Sequence, residues 1–248
     1  MPEQKEQHME PDKTPDAGEG RCAAPPQAAC DAARAPESGF ELGEPALVCR
    51  WRLTKRRVPL LNRHIRALAA RRIQGAPVGH GLLSWAKQHV EWSLADDTTV
   101  AVPDDGVLML VIDTAGQAAM STGPYERLAS TAREALIYRA LDAHREADRT
   151  GVAPEVLAAH RAGALVLGVG AEDPLAGVAS LAAQLAEARG VRIERDPALP
   201  YRALAGACAG ALLLLSDEHG VVAAGDAPDV PADDLVDLLV AGYEKLRG

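Results

Sequence analysis

Arg56, Arg57, Arg63 and Arg66 place four guanidinium groups within one short stretch of the chain. A guanidinium donates a rigid pair of hydrogen bonds that matches a phosphate or carboxylate, so the four are candidate residues for gripping a small anion. They belong to a longer basic island. From 46 to 90 the chain carries Arg50, Arg52, Lys55, Arg56, Arg57, Arg63, Arg66, Arg71, Arg72 and Lys87 and no Asp or Glu, although the formal net charge of the whole is −9. Asymmetry of this kind points to an anionic partner: a phosphate, a nucleic acid or an acidic surface of the same protein. His64 lies in the same stretch and could donate to a bound anion; the plainer reading is a structural histidine.

Other stretches carry weaker chemistry. Gly168-Val169-Gly170-Ala171-Glu172-Asp173 has the start of a dinucleotide fingerprint, but Asp173 stands at the third glycine position and its carboxylate would repel a pyrophosphate. Asp173 is better suited to capping a helix. His219 follows Asp217 and Glu218, and polar residues before Gly220 are what a hairpin turn requires. Cys208 sits among Ala and Gly with no base nearby, so it reads as a small hydrophobe. The four cysteines, Cys22, Cys30, Cys49 and Cys208, form no CxxC pair and lie at no ligand spacing from a histidine. Free thiols and no metal site are expected. Trp51, Trp85 and Trp92 beside the arginines admit a nucleic-acid reading, with phosphates on the guanidiniums and bases on the indoles. The overall acidity, the 3% aromatic content and the lack of a nucleic-acid motif weigh against it.

These residues need elements to position them. Residues 1–43 are rich in Pro, Ala, Gly, Glu and Asp and hold almost no branched aliphatic side chain, so a disordered tail is predicted. ALVCRWRL at 46–53 reads as a strand, 54–57 as a basic turn, and 59–72 as an amphipathic helix with Leu61, Ile65, Leu68 and Ala69 on one face. A second helix is predicted over 82–94. The run 106–113 is a strand that returns through a turn into 118–122. A long helix is predicted over 125–149, closed by Gly151, and a short one over 154–161.

Residues 163–196 then spell strand, helix, strand: an apolar run, Asp173 and Pro174 as cap and first helical residue, and Gly190 as the stop. This is a βαβ element. A helix over 201–208, a strand over 211–215 turning into 221–224, and a last helix over 232–246 opened by 229–231 complete the chain. The expected fold is mixed α+β: a small basic α+β domain over 44–124, then a larger α/β domain over 125–248 built on the βαβ element. At 248 residues and 48% hydrophobic the chain can bury a core of that size. It has no apolar run long enough to span a bilayer and no apolar signal segment, so no membrane partner and a cytoplasmic setting are expected.

The segment Arg57-Val58-Pro59-Leu60-Leu61-Asn62-Arg63-His64-Ile65-Arg66-Ala67-Leu68 resembles the start of the small-domain helix in class IV pyridoxal-phosphate enzymes, the branched-chain aminotransferase and aminodeoxychorismate lyase group. The run 106–123 resembles their next hairpin; 189–195 and 211–223, with Gly220-Val221-Val222, resemble their late strand and Gly-Val-Val turn. Most of 45–225 is covered. The resemblance implies that fold and, in an intact enzyme, pyridoxal phosphate bound through a lysine. Two departures qualify the activity. The arginine that holds the cofactor phosphate in the family falls on Ala67, with Arg66 one step aside, and the lysines here are Lys5, Lys13, Lys55, Lys87 and Lys245, none in the central region. The stretch between Gly151 and Gly190 is also short for the family's cofactor-cradling strands. The expectation is a divergent aminotransferase-like protein without ordinary Schiff-base chemistry, closer to a binder than an enzyme. It keeps a pocket for an anionic metabolite and uses no cofactor unless pyridoxal phosphate binds despite the missing lysine; a homodimer is compatible with it. The alternative is a nucleic-acid or acidic-partner binding module using 50–72.

Overall fold

The computed structural model of the chain describes residues 41–95, 102–226 and 233–248. The expected tail lies outside them except for its last three residues, as do the residues 229–231 expected to open the final helix. Strand β1 (Pro45–Thr54) pairs antiparallel with β4 (Asp105–Asp113), which pairs with β5 (Ala118–Pro124) in a three-stranded sheet of order β1-β4-β5. Its inward side chains, among them Leu47, Cys49, Trp51, Leu108, Leu110 and Ile112, pack on helices α1 (Leu61–Ala69) and α2 (His80–Ala95). A two-stranded ribbon, β2 (Arg72–Ile73) with β3 (Ala76–Pro77), joins the two helices.

Helix α3 (Arg133–Thr150) leads into a five-stranded sheet. Its strands are β6 (Glu155–Arg161), β7 (Ala164–Leu167), β8 (Arg192–Arg195), β9 (Ala211–Ser216) and β10 (Gly220–Ala223), in the order β10-β9-β6-β7-β8. Only β7 and β8 run parallel, joined by α4 (Gly177–Ala188), which is the βαβ element read from the sequence. Alternation along β6 and β9 fills both faces. Val156, Ala158, Leu213 and Leu215 face α4 and α6 (Asp234–Arg247), while Leu157, Ala159, Leu212 and Leu214 face α3 and α5 (Leu199–Leu204). A sheet covered on both sides reads as continuous apolar runs, which is how 164–169 and 211–215 look in the sequence. Among the described residues no helix is long and apolar enough to cross a membrane.

Three elements differ from expectation. Residues 154–161 form β6 rather than a helix; two sheet neighbours override the helix propensity of Leu157, Ala158 and Ala159. The β6–β7 connection is the two-residue turn Ala162-Gly163, both at positive φ (49° and 69°), with Ala where such a turn usually carries Asn or Asp. Helix α3 starts at Arg133 and not at 125, because the chain before it is tied elsewhere: the Gly225 amide donates to the Thr131 carbonyl and the Arg133 amide to Asp226. Asp173 does not cap α4, whose N-cap is Ala176; instead its carboxylate accepts from the Gly170 amide at 2.6 Å and closes the turn.

Candidate functional site

Helices α1 and α4 meet through small side chains. Ala67, Ala70 and Ala176 pack with Val152, which lets the two backbones approach. The helical period of α1 then divides its polar residues between two faces. His64 turns inward and is 2% exposed, stacked on Trp51 with ring centroids 5.2 Å apart. Arg63 and Arg66 turn toward the outer edge of α4.

The inner face meets Asp217, which sits on the β9–β10 turn and is 5% exposed. Asp217 Oδ1 accepts from the Val178 amide at 2.9 Å, in the first turn of α4. Asp217 Oδ2 lies 3.2 Å from His64 Nδ1, within ion-pair range, yet Nδ1 has no well-formed hydrogen bond. The Asp217 main chain is fixed too: its amide donates to the Pro154 carbonyl and its carbonyl accepts from the Arg52 amide. Burial alone would push this carboxyl up, but His64, the Val178 amide and the Arg71 charge outweigh burial and hold it below the usual carboxylate range. Arg71 is itself buried and paired with Glu146 at 2.7 Å, and burial pushes the neighbouring Cys49 thiol up to about 11.

The outer faces enclose a recess of about 280 Å³ lined by Arg63, Arg66, Asp173, Ser180 and Arg195. Arg63 donates to Ser180 Oγ at 2.8 Å and to Gln184. Arg66 donates to the Asn62 carbonyl at 3.2 Å. Arg195 donates to the carbonyls of Asp173 and Gly170 at 2.6 and 3.3 Å. Among the described residues no carboxylate lies within ion-pair distance of these three arginines, and burial together with the Arg66 charge lowers the Arg63 pKa. The structure therefore brings Arg63 and Arg66 together. It leaves Arg56 and Arg57 outside the recess, on the turn after β1, where Arg56 Nε donates to the Leu94 carbonyl at 3.0 Å and Arg57 is exposed.

A second cavity, of about 340 Å³, opens between β1, α3 and the β9–β10 turn. Its charged groups are already engaged. Arg50 forms a two-point ion pair with Glu218 at 2.6 and 2.8 Å, and Arg139 one with Glu155 at 2.9 and 2.7 Å. Ser216 Oγ donates to Glu155 at 2.8 Å. Arg139 can only donate, so His219 Nε2, 3.1 Å away, is the acceptor, and Nδ1 carries the proton that it donates to the Tyr125 hydroxyl at 3.2 Å. Burial lowers the His219 pKa. His219 is thus part of the wall that holds the hairpin turn. Of the basic island, Arg50, Arg52 and Arg71 are paired with Glu218, Asp105 and Glu146, and of the three tryptophans Trp51 is buried and only Trp92 is exposed.

A small antiparallel sheet with two helices, joined to a five-stranded mixed sheet between helical layers, is the fold of class IV pyridoxal-phosphate enzymes. The chain is similar to a fold IV transaminase from Curtobacterium pusillum, with a TM-score of 0.54 at 13% identity over 86% of this chain and 90% of that one. It is similar to a chain described as a 4-amino-4-deoxychorismate lyase from Legionella pneumophila (TM-score 0.52, 12% identity, 85% and 97% covered). A hypothetical aminotransferase from Mycobacterium tuberculosis in its pyridoxal-phosphate-bound form gives 0.51 at 10% identity, with 85% and 96% covered. No protein-family model matches the sequence, and no curated protein matches it.

The described residues do not fit a lysine-bound pyridoxal phosphate. Lys55 donates to the Gly248 carbonyl, Lys87 faces Glu91 on α2, Lys245 is exposed on α6, and none of them lines either cavity. Ala67, where the resemblance places a phosphate-binding arginine, is 6% exposed and packed against Ala176 and Val152. The amide at the start of α4 is taken by Asp217. Sequence reasoning passed over Asp217, Ser180 and Arg195. Asp217 was masked by its own turn, where a polar residue needs no further explanation, and Arg195 lies far outside the basic island.

Proposed function

We propose that the protein is an aminotransferase-like protein of class IV fold that performs no Schiff-base chemistry and binds a small anionic metabolite in the recess between α1 and α4. One observation carries this reading: Arg63, Arg66 and Arg195 converge on a single recess of about 280 Å³ against one lining carboxylate, Asp173, which accepts from the Gly170 amide and forms no ion pair with them among the described residues. Three positive charges suit a phosphate or carboxylate group, since guanidinium bonds to such groups are charge-assisted and directional, while the Ser180 hydroxyl, which donates to the Gly177 carbonyl, positions Arg63. A volume at the small end of ligand pockets suits a metabolite rather than a polymer. The internal pairing of Arg50, Arg52 and Arg71 leaves the nucleic-acid alternative fewer free charges to use.

Titration calorimetry with phosphate monoesters and dicarboxylates tests the site. Saturable, salt-sensitive binding is expected, reduced at least tenfold by Arg63→Ala with Arg66→Ala; equal heats for parent and variant would remove the assignment. Incubation with pyridoxal phosphate followed by borohydride and mass spectrometry tests the chemistry. At equimolar pyridoxal phosphate no single lysine should be labelled stoichiometrically, beyond the slow labelling of an exposed amine such as Lys245, and stoichiometric fixation on one lysine overturns the claim.

A further inference from the structure

We infer that Asp217 is a built-in substitute for a bound anion: its carboxylate occupies, at the start of α4, a seat that would otherwise take a phosphate or carboxylate from solution. The argument begins with the helix. α4 (Gly177–Ala188) presents backbone amides without intrahelical partners at its N-terminus, where the aligned peptide dipoles attract negative charge. Its own N-cap, Ala176, has no side-chain acceptor. The acceptor comes instead from a distant turn, as Asp217 Oδ1 at 2.9 Å from the Val178 amide.

A second group points to the same seat from another element. His64 is 2% exposed, and its Nδ1 makes no hydrogen bond although Asp217 Oδ2 lies 3.2 Å away. Buried ring nitrogens are ordinarily hydrogen-bonded, so Nδ1 stands at this seat with its bonding unmet. Gly177 supplies the third observation. A Cβ there would stand 2.5 Å from His64 Nδ1 and 3.3 Å from Asp217 Oδ1, so the absence of a side chain is what lets the amide, the imidazole and the carboxylate meet. Two helices converge on one carboxylate, and the main-chain bonds of Asp217 to Pro154 and Arg52 hold it there. With that carboxylate in place, an incoming phosphate meets both like charge and filled space.

The inference does not depend on the arginine recess, and its test is built to keep the two apart. The parent is the full chain carrying Arg63→Ala and Arg66→Ala, so that no anion gains stability through the recess. Asp217→Ala in that parent removes the carboxylate and leaves a space the size of formate. Thermal midpoints are then measured in sodium formate, acetate and phosphate against chloride at equal ionic strength. The expected result is a lower midpoint for Asp217→Ala, recovered saturably by formate, with no such recovery in the parent or in Asp217→Asn, whose amide still fills the space. If Asp217→Ala does not fold in chloride, the yield of refolding in formate against chloride becomes the readout. Equal behaviour in formate and chloride, or the same saturable gain in the parent, overturns the proposal.

Discussion

The two faces of helix α1 make opposite use of similar chemistry. The inner face offers His64 to the Asp217 carboxylate, sealed from water and braced by the Val178 amide, while the outer face offers Arg63 and Arg66 to a recess open to solvent. A carboxylate bonded out of water is held strongly and becomes part of the fold; charges at the surface are screened and stay available to a ligand. Burial, more than residue type, separates an architectural anion from a bound one.

Substitution should separate the two faces in that order. His64→Ala removes the stack on Trp51 and opens a cavity beside the buried Asp217, so unfolding in urea should show a loss of about 3–5 kcal/mol, the range for truncating a large buried ring to alanine. Arg66→Ala should stay within about 0.5 kcal/mol of the parent, as exposed substitutions do. Losses of equal size would erase the distinction drawn between the faces. Gly177→Ala comes next. Its φ is not positive, so the cost is the collision with His64 and, less severely, the tight approach to Asp217, about 1–3 kcal/mol as for overpacked cores, and it should shrink when combined with His64→Ala.

Acid titration sharpens the comparison further. The Asp217 carboxyl is held below its unfolded value, so its contribution is complete above the ordinary carboxylate range and is lost as the pH falls through the lower folded value. Asp217→Asn should flatten the stability curve there. His219 is also lowered, from an ordinary 6.5, so the folded protein binds fewer protons than the unfolded chain just below that pH. Stability should therefore begin to fall as the pH drops below about 6.5, and His219→Gln should remove that earlier slope while leaving the acid limb intact. A gain is expected at Ala162, held at φ 49° in the β6–β7 turn: Ala162→Asn should raise stability by up to about 1 kcal/mol, because asparagine tolerates the left-handed region.

Apolar patterning made most of the fold readable, as it did for β1, β4 with β5, and the β7–α4–β8 crossover. It failed where two signals competed. Glu155-Val156-Leu157-Ala158-Ala159 looks helical in isolation, and only the pairing of Ala158 with both Leu167 and Leu213 makes it a strand. The site was legible in the same uneven way. The charge asymmetry drew attention to the α1 arginines, and two of them, Arg63 and Arg66, share the recess. No local pattern announces that Asp217, a polar residue in a polar turn, is carried 39 positions from Val178 in sequence to its amide in space.

The place of β6 bears on the order in which the molecule assembles. β6 meets β7 across a two-residue turn, a contact that closes locally, whereas β9 arrives only after α4, β8 and α5 have been accommodated. Chain-closure entropy makes the second pairing the slower one. Asp217 rides on the far end of β9, so its meeting with His64 comes late in folding. Trp51, stacked on that histidine, is in position to report the moment: a late phase in its fluorescence during refolding, absent from Asp217→Ala, would mark the seat being filled.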